Sequence, residues 1–193
     1  MLTDSQQNLI WQMDAACLKC IRAVVYFNAV TNKTPYLWRF FQNCFGEVAA
    51  INWCHVFHKT KRNRIHFYKL FEDPTIVALG SEFTNDIVMT RLRAATSLTE
   101  DQYTAFQQQV VDFRNKYAAH WDDEKGGVFF PNLDLAMTLC IEMRKILRQL
   151  VVKAVSNTSS QILRDLMNIL TNNDNDQWLR LLQLDAEHLK KIQ

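Results

Sequence analysis

The chain has 193 residues, enough to bury the core of one domain of ordinary size. Hydrophobic residues make up 48% and charged residues 22% of it, and these values exclude a wholly disordered protein. The 22 basic and 20 acidic side chains leave a net charge of +2, so a nucleic-acid-binding function would require a local basic patch.

The first twenty residues and the cysteines indicate the cellular compartment. The stretch MLTDSQQNLIWQMDAACLKC lacks the basic start and apolar core of a signal peptide, and no apolar run approaches the roughly 18 residues of a membrane span. Five cysteines, an odd number, fit reduced thiols better than a disulfide framework. We therefore expect a cytoplasmic protein without a membrane segment.

The chain is poor in helix breakers, with 4 glycines and 3 prolines, and its apolar residues recur at spacings of three and four. This pattern predicts an all-α fold. A first long helix is predicted over residues 4–30, closed by the polar turn TNKTP. A second begins near Pro35, whose fixed φ suits a first helical turn, and ends at about Phe57. A short helix is predicted in IHFYKLFED, before Pro74.

The second half of the chain continues the helical pattern. A segment over about 82–95 follows the loop around Gly80, and Thr99 is the predicted N-cap of the next helix. The acidic pair after Thr99 suits the positive end of that helix dipole. The helix is predicted to break at WDDEKGG, and a further helix covers about 133–155.

The polar stretch SNTSS is the best candidate boundary, which predicts a helical bundle over residues 1–155 and a C-terminal helical extension over 156–193. The extension contains two amphipathic segments, QILRDLMNIL and DQWLRLLQLDAEHLKKI. It either covers the main bundle or forms an arm that docks on a second copy or another protein. The predicted architecture is an antiparallel bundle of five or more helices.

The stretch FRNKYAAHWDD carries candidate catalytic side chains. His120 can exchange a proton with a ribose 2′-hydroxyl or a leaving oxygen, and Arg114 can hold the nonbridging oxygens of a phosphoryl group. Asn115 can orient a phosphate or the histidine, and Asp122 can select the histidine tautomer. On an ideal helix Arg114 and His120 are about 240° apart and flank the apolar stripe that ends in Tyr117. The alternative interpretation is a solvated helix end.

The run RNKYAAHWD resembles the signature of the HEPN superfamily, in which an arginine, commonly followed by a polar residue, precedes a histidine by a few positions. The segment INWCHVFHKTKRNRIHFYKLF is similar to an upstream segment of bacterial HEPN proteins of the abortive-infection kind. The residues that carry this second similarity are Trp53, Cys54, Phe57, Phe67 and Lys69. Where that pattern leads us to expect glycine, this chain has His58.

The resemblance implies a helical bundle that dimerises so that two motifs face one cleft, and in many members a metal-independent endoribonuclease without a cofactor. It makes Arg114, His120 and Asn115 the expected catalytic residues, with Asp122 and Tyr117 in support. Other members are binding modules without catalysis. A ribonuclease of toxin or phage-defence type and a noncatalytic nucleotide-binding, RNA-binding or protein-interaction module therefore both remain open. The possible partners are RNA, a second copy, and an antitoxin or other protein.

A basic loop lies within the upstream segment that carries the second similarity, and no acidic side chain occurs from residue 48 to residue 70. Its candidate RNA-binding residues are Lys59, Lys61, Arg62, Arg64 and Lys69. Interleaved histidine and aromatic side chains can stack on unpaired bases while the cations bind the phosphate backbone. The alternative interpretation is a solvated loop between helices.

Two short motifs supply ligands of the type that zinc prefers, Cys17 with Cys20 and His55 with His58. Both pairs fall on predicted helices that are dense in core residues, whereas zinc-binding cysteine pairs usually lie in turns. We therefore expect no metal site.

Overall fold

A computed structural model describes residues 2–30, 36–60, 62–118 and 130–156, together with the single positions 168 and 187. Within these ranges the chain contains helices and connecting turns but no strand, so the all-α prediction is confirmed. The helices are α1 (Asp4–Val30), α2 (Tyr36–Phe57), α3 (Phe67–Phe71), α4 (Pro74–Val77), α5 (Asn85–Thr96), α6 (Glu100–Phe113) and α7 (Leu133–Ser156). None of the described helices is long and apolar enough to cross a membrane.

The three long helices α1, α2 and α7 form the centre of the bundle. Each places apolar residues at spacings of three and four along one face, and those faces are buried against one another. Two polar contacts fix the direction of α7 relative to α1, because Asp14 contacts Arg144 and Asn28 contacts Asp134. As the residue number rises along α1 it falls along α7, so this pair is antiparallel.

A buried ion pair joins α1 to α7. Nε of Arg144 donates a hydrogen bond of 2.7 Å to Oδ1 of Asp14, and the two side chains are only 6% and 5% exposed. Two further arginines of the same helices, Arg22 and Arg148, lie close enough for like-charge repulsion and burial to lower the pKa of each. The carboxylate of Asp14 therefore lies next to a concentration of positive charge that it partly neutralises.

Helix α6, which leads into the motif stretch that begins at Arg114, starts as predicted. Thr99 is its N-cap, and the side chains and backbone N–H groups of Thr99 and Gln102 bond to each other in a capping box. The helix packs on α2 through Phe106, whose ring meets that of Trp53 edge to face at 5.4 Å. Its last residue, Phe113, packs on Phe130 at 5.1 Å. The end of α6 is therefore held at a fixed place against the bundle.

The regular α-helix ends at Phe113, and residues 114–118 form a π-helical turn. Bonds from residue i to residue i+5 put more residues into each turn than an α-helix does. The predicted angle between Arg114 and His120 assumed an ideal α-helix, which residues 114–118 do not form. His120 itself lies outside the described residues.

Several predictions fall on parts of the chain that the structure does not describe. These are the polar turn TNKTP, the helix break at WDDEKGG, and almost all of the C-terminal extension, of which Asn168 and Glu187 are described as helical and exposed. Helix α7 ends at Ser156. The division into a bundle and an extension stays a prediction.

Loss of the buried carboxylate should destabilise the bundle. We expect Asp14→Asn to lower the free energy of unfolding by about 3–5 kcal/mol, because it removes the negative charge that faces the buried Arg144 cation. Asp4→Asn removes an exposed carboxylate from the first turn of the same helix and should cost less than about 1 kcal/mol. Urea unfolding followed by circular dichroism measures both changes. Equal losses for the two variants would contradict the assignment.

Candidate functional site

The C-terminal end of α2 is capped by a side chain of the basic loop. The last carbonyls of a helix have no partner within it. Nδ2 of Asn63 lies 3.2, 2.8 and 2.8 Å from the carbonyl oxygens of Cys54, His55 and His58 at this helix end, and its two hydrogens are shared among them. The loop is closed further by Nζ of Lys69, which donates to the carbonyl oxygen of Asn63 at 2.6 Å. The loop is thus folded tightly around Asn63.

A second junction forms at the carbonyl oxygen of Phe57. It accepts a hydrogen bond of 2.9 Å from Nε2 of His66 and one of 2.8 Å from Nε2 of Gln107, which belongs to α6. Because a carbonyl only accepts, Nε2 of His66 carries the proton. Nδ1 of His66 then accepts from the backbone N–H of Tyr68 at 3.1 Å and caps α3. Helices α2, α3 and α6 therefore meet at one backbone oxygen.

Arg114 lies beside the end of α2, in the π-helical turn. Its Nη1 is 3.5 Å from Nδ1 of His58. Its Nε and Nη2 donate to Oδ1 of Asn115 at 3.2 and 2.8 Å. A groove of about 360 Å³ opens here, and its lining includes His55, Arg62 and Arg64 as well as His58 and Arg114. The arginine motif and the basic loop therefore share one surface.

The groove is strongly basic. Three arginines line it, and its described lining residues include no carboxylate. Burial and the Arg114 cation both lower the pKa of His58, and the same two effects lower the pKa of His55. Both effects favour the neutral form of the two imidazoles. Burial raises the pKa of the Cys54 thiol to about 12, so this cysteine is no nucleophile. The groove is suited to bind an anion.

The predicted catalytic set is only partly described. Arg114 is half-buried in the groove, and Asn115 is exposed and bonded to it. Asn115 therefore holds one edge of the guanidinium, and its predicted role of orienting a phosphate or the histidine stays a prediction. Tyr117 belongs to the π-helical turn, while His120 and Asp122 lie outside the described residues.

The predicted RNA-binding residues divide into two groups. Arg62 and Arg64 are exposed and line the groove. Lys59 lies 3.7 Å from a carboxylate oxygen of Glu72 and 4.6 Å from the ring centroid of Tyr68, and Lys69 bonds to the loop backbone. Both lysines therefore have partners within the chain, and their predicted binding of RNA stays a prediction. Lys61 lies outside the described residues.

Sequence reasoning missed two residues of this site. His58 had been considered only as a zinc ligand or as part of the basic loop, and its contact with Arg114 spans 56 positions of the chain. The sequence did offer one signal, because His58 stands where the upstream similarity leads us to expect glycine. Asn63 was not singled out, although an amide side chain shortly after a helix end is a common cap.

The four residues of the two zinc-type motifs have different surroundings. Cys17 and Cys20 are fully buried in the core, where their thiols contact that of Cys140. His55 and His58 line the groove. Across the part of the chain that the structure describes, no group of three histidine, cysteine or acidic side chains is arranged to hold a metal ion.

Comparison of the chain with protein-family models, with curated proteins and with solved structures found no match.

The junction at Phe57 predicts a pH-dependent stability. Burial lowers the pKa of His66 to about 4, below its unfolded value of about 6.5, so the folded state favours the neutral ring. The stability that this contributes is fully present above pH 6.5 and is lost as the pH falls towards 4, by up to about 3 kcal/mol.

The variant His66→Asn keeps a capping side chain but cannot titrate. We expect its free energy of unfolding to depend less on pH between 6.5 and 4 than that of the parent protein. Urea unfolding at a series of pH values measures the difference. Parallel curves for parent and variant would contradict the assignment of this pH dependence to His66. All other titratable groups are the same in the two proteins.

Proposed function

We propose that the chain is a HEPN-like, metal-independent endoribonuclease of toxin or phage-defence type that acts in the cytoplasm. One observation supports this most directly. The guanidinium of Arg114 lies in a groove with Arg62 and Arg64, and the described lining of that groove contains no carboxylate. Such a groove attracts a phosphodiester and keeps its charge compensated as more negative charge develops on the phosphoryl oxygens.

In this proposal His120 takes the proton from a ribose 2′-hydroxyl as the 2′-oxygen attacks phosphorus. The bond from phosphorus to the 5′-oxygen breaks, the leaving oxygen takes a proton from water, and His120 returns its own proton to the solvent. The products are a cyclic phosphate and a free 5′-hydroxyl. Arg114 binds the nonbridging oxygens through its planar fork of donors. Asn115 holds one edge of that fork in place.

A second copy of the chain belongs to the same proposal. Arg114 is accessible at the end of its helix, and the resemblance places two copies of the motif across one cleft. A homodimer with twofold symmetry brings the two motifs together at its axis. Sedimentation that shows only monomer at tens of micromolar would count against it.

The mechanism predicts the effects of three substitutions. His120→Ala and Arg114→Ala should each lower RNA cleavage by on the order of a hundredfold or more, the usual loss for one acid–base group or one charge-stabilising donor. Arg114→Lys should lower the cleavage rate almost as much, since an ammonium keeps the positive charge but lacks the planar pair of N–H donors that binds two phosphoryl oxygens. Purified protein with mixed RNA in the presence of a chelator measures these rates.

The control for cleavage is Gln109→Ala, which alters an exposed side chain of α6 and should leave the rate unchanged. Cleavage that persists in His120→Ala at the parent rate would indicate a contaminating nuclease and contradict the mechanism.

A noncatalytic RNA-binding or protein-interaction module is the second candidate. The observation that favours it is the bond pattern of Arg114, whose Nε and Nη2 are both engaged by Asn115 within the same chain. An arginine held in this way can still supply charge to a phosphate. In that case the parent protein does not cleave RNA, and Arg114→Lys keeps most of the affinity, because a point charge is sufficient.

Both candidate functions predict that the exposed arginines of the loop bind phosphates. The double variant Arg62→Ala and Arg64→Ala should weaken RNA binding and reduce its salt dependence by up to about two phosphate contacts. The matched control is Lys153→Ala, which removes an exposed cation of α7 outside the groove lining and should leave the salt slope unchanged. Fluorescence anisotropy over a salt series measures the slope. An unaltered slope in the double variant would mean that the loop is only solvated.

A further inference from the structure

The imidazole of His58 contacts the motif arginine, Arg114. Its Nδ1 lies 3.5 Å from Nη1 of Arg114, where the resembling pattern has glycine. Its backbone is fixed on both sides, because its N–H donates to the carbonyl oxygen of Cys54 at 3.1 Å and its carbonyl oxygen accepts from Asn63. The ring is therefore held beside Arg114 by the same cap that closes α2.

The contact between the guanidinium of Arg114 and the imidazole of His58 is a weak hydrogen bond. A neutral imidazole can accept one hydrogen bond from the guanidinium at Nδ1, which leaves Nε2 with the proton. At 3.5 Å this bond is at the outer limit of such contacts. An imidazolium in the same place offers two donors but stands next to the Arg114 cation. An anion between the two cations removes that repulsion and accepts hydrogen bonds from both.

We infer that His58 and Arg114 form a proton-linked phosphate site, in which His58 binds a phosphate of RNA as the imidazolium and loses its proton when the phosphate leaves. The site deepens the proposed function, because it rests on RNA binding in the groove. It does not depend on cleavage, so it holds equally for an enzyme and for a binding module.

The charges around His58 fit this assignment. The groove brings Arg62 and Arg64 from the basic loop, Arg114 from the π-helical turn, and His55 from α2 to the same surface. His66 is near enough for His58 to lower its pKa, and its Nε2 is bonded to the backbone oxygen of Phe57. The carbonyl end of α2 precedes His58 directly and favours a positive charge there. Without a ligand, the nearby arginines disfavour a positive charge on His58. A bound phosphate is negative and favours the charged imidazolium.

The sign of the proton linkage follows from these charges. In the free protein, burial and Arg114 hold the pKa of His58 below 6.5. A bound phosphate favours the charged ring, so the pKa of His58 is higher in the complex. Binding therefore takes up a proton, and affinity increases as the pH falls between the two values, by at most about tenfold per pH unit.

Proton magnetic resonance of the histidine ring can test this with inorganic phosphate as the probe. The resonance of His58 is identified by its loss in His58→Asn. Added phosphate should raise the titration midpoint of His58 in the parent protein. Arg114→Gln should raise the midpoint without phosphate, because it removes the neighbouring cation, and should abolish the further rise with phosphate. A midpoint that does not respond to phosphate or to Arg114→Gln would overturn the inference.

Binding of RNA gives the second test. An RNA with 2′-O-methyl groups on every sugar cannot be cleaved by 2′-hydroxyl attack, so its affinity is independent of catalysis. The parent protein and the control Lys153→Ala should bind it more tightly as the pH falls from 8 towards 5.5, and His58→Asn should lose most of that pH dependence. The same slope in His58→Asn, or no binding by the parent at any pH, would overturn the inference. A parent that shows this linkage but cleaves no RNA would contradict the nuclease proposal alone.

Discussion

The carbonyl oxygens at the C-terminal end of α2 are the constraint on which the site depends. A helix end leaves these acceptors without partners, and burying them unpaired would cost free energy. Here Asn63 and His66, from the loop before α3, and Gln107, from α6, supply the donors. Satisfying one helix end therefore fixes the basic loop, the start of α3 and the side of α6 at the same time.

The position of Arg114 follows from that arrangement together with the aromatic core. Stacking of Trp53 on Phe57 at 5.0 Å and the edge-to-face contact of Trp53 with Phe106 hold α6 against α2. At its other end Phe113 packs on Phe130. The arginine is the first residue after this packed segment, so its backbone is held firmly while its guanidinium reaches the groove. A firmly held donor is what charge stabilisation in a reaction requires.

The sequence predicted the helices well where local signals were strong. The limits of α1 were recognisable because its apolar spacing is regular, and the start of α6 was recognisable because Thr99 and Gln102 form a local capping box. The π-helical turn was not predictable, because the residues after Phe113 have no sequence feature that separates i+5 from i+4 bonding. The turn changes which directions the motif side chains take, so helical spacing could not place them.

The composition of the site was harder to predict than its location. The resemblance directed attention to Arg114 and to the basic loop, and the structure brings Arg114, Arg62 and Arg64 to one groove. Charge alone could not show that Lys59 lies near Glu72 or that Lys69 bonds to the carbonyl oxygen of Asn63, since both contacts depend on the three-dimensional fold. The contact of His58 with Arg114 likewise arises only when two distant segments fold together.

The cysteine cluster between α1 and α7 has a consequence for the chemistry of the whole chain. Cys17, Cys20 and Cys140 are fully buried and reduced, and a thiol reacts with alkylating agents or oxidants only when it is exposed and ionised. Modification of these three thiols therefore requires α1 to separate from α7. Cys44 is only half-buried on α2 and reports local motion instead. The rate at which these three buried thiols react therefore measures how often the bundle opens, and the measurement needs no added label.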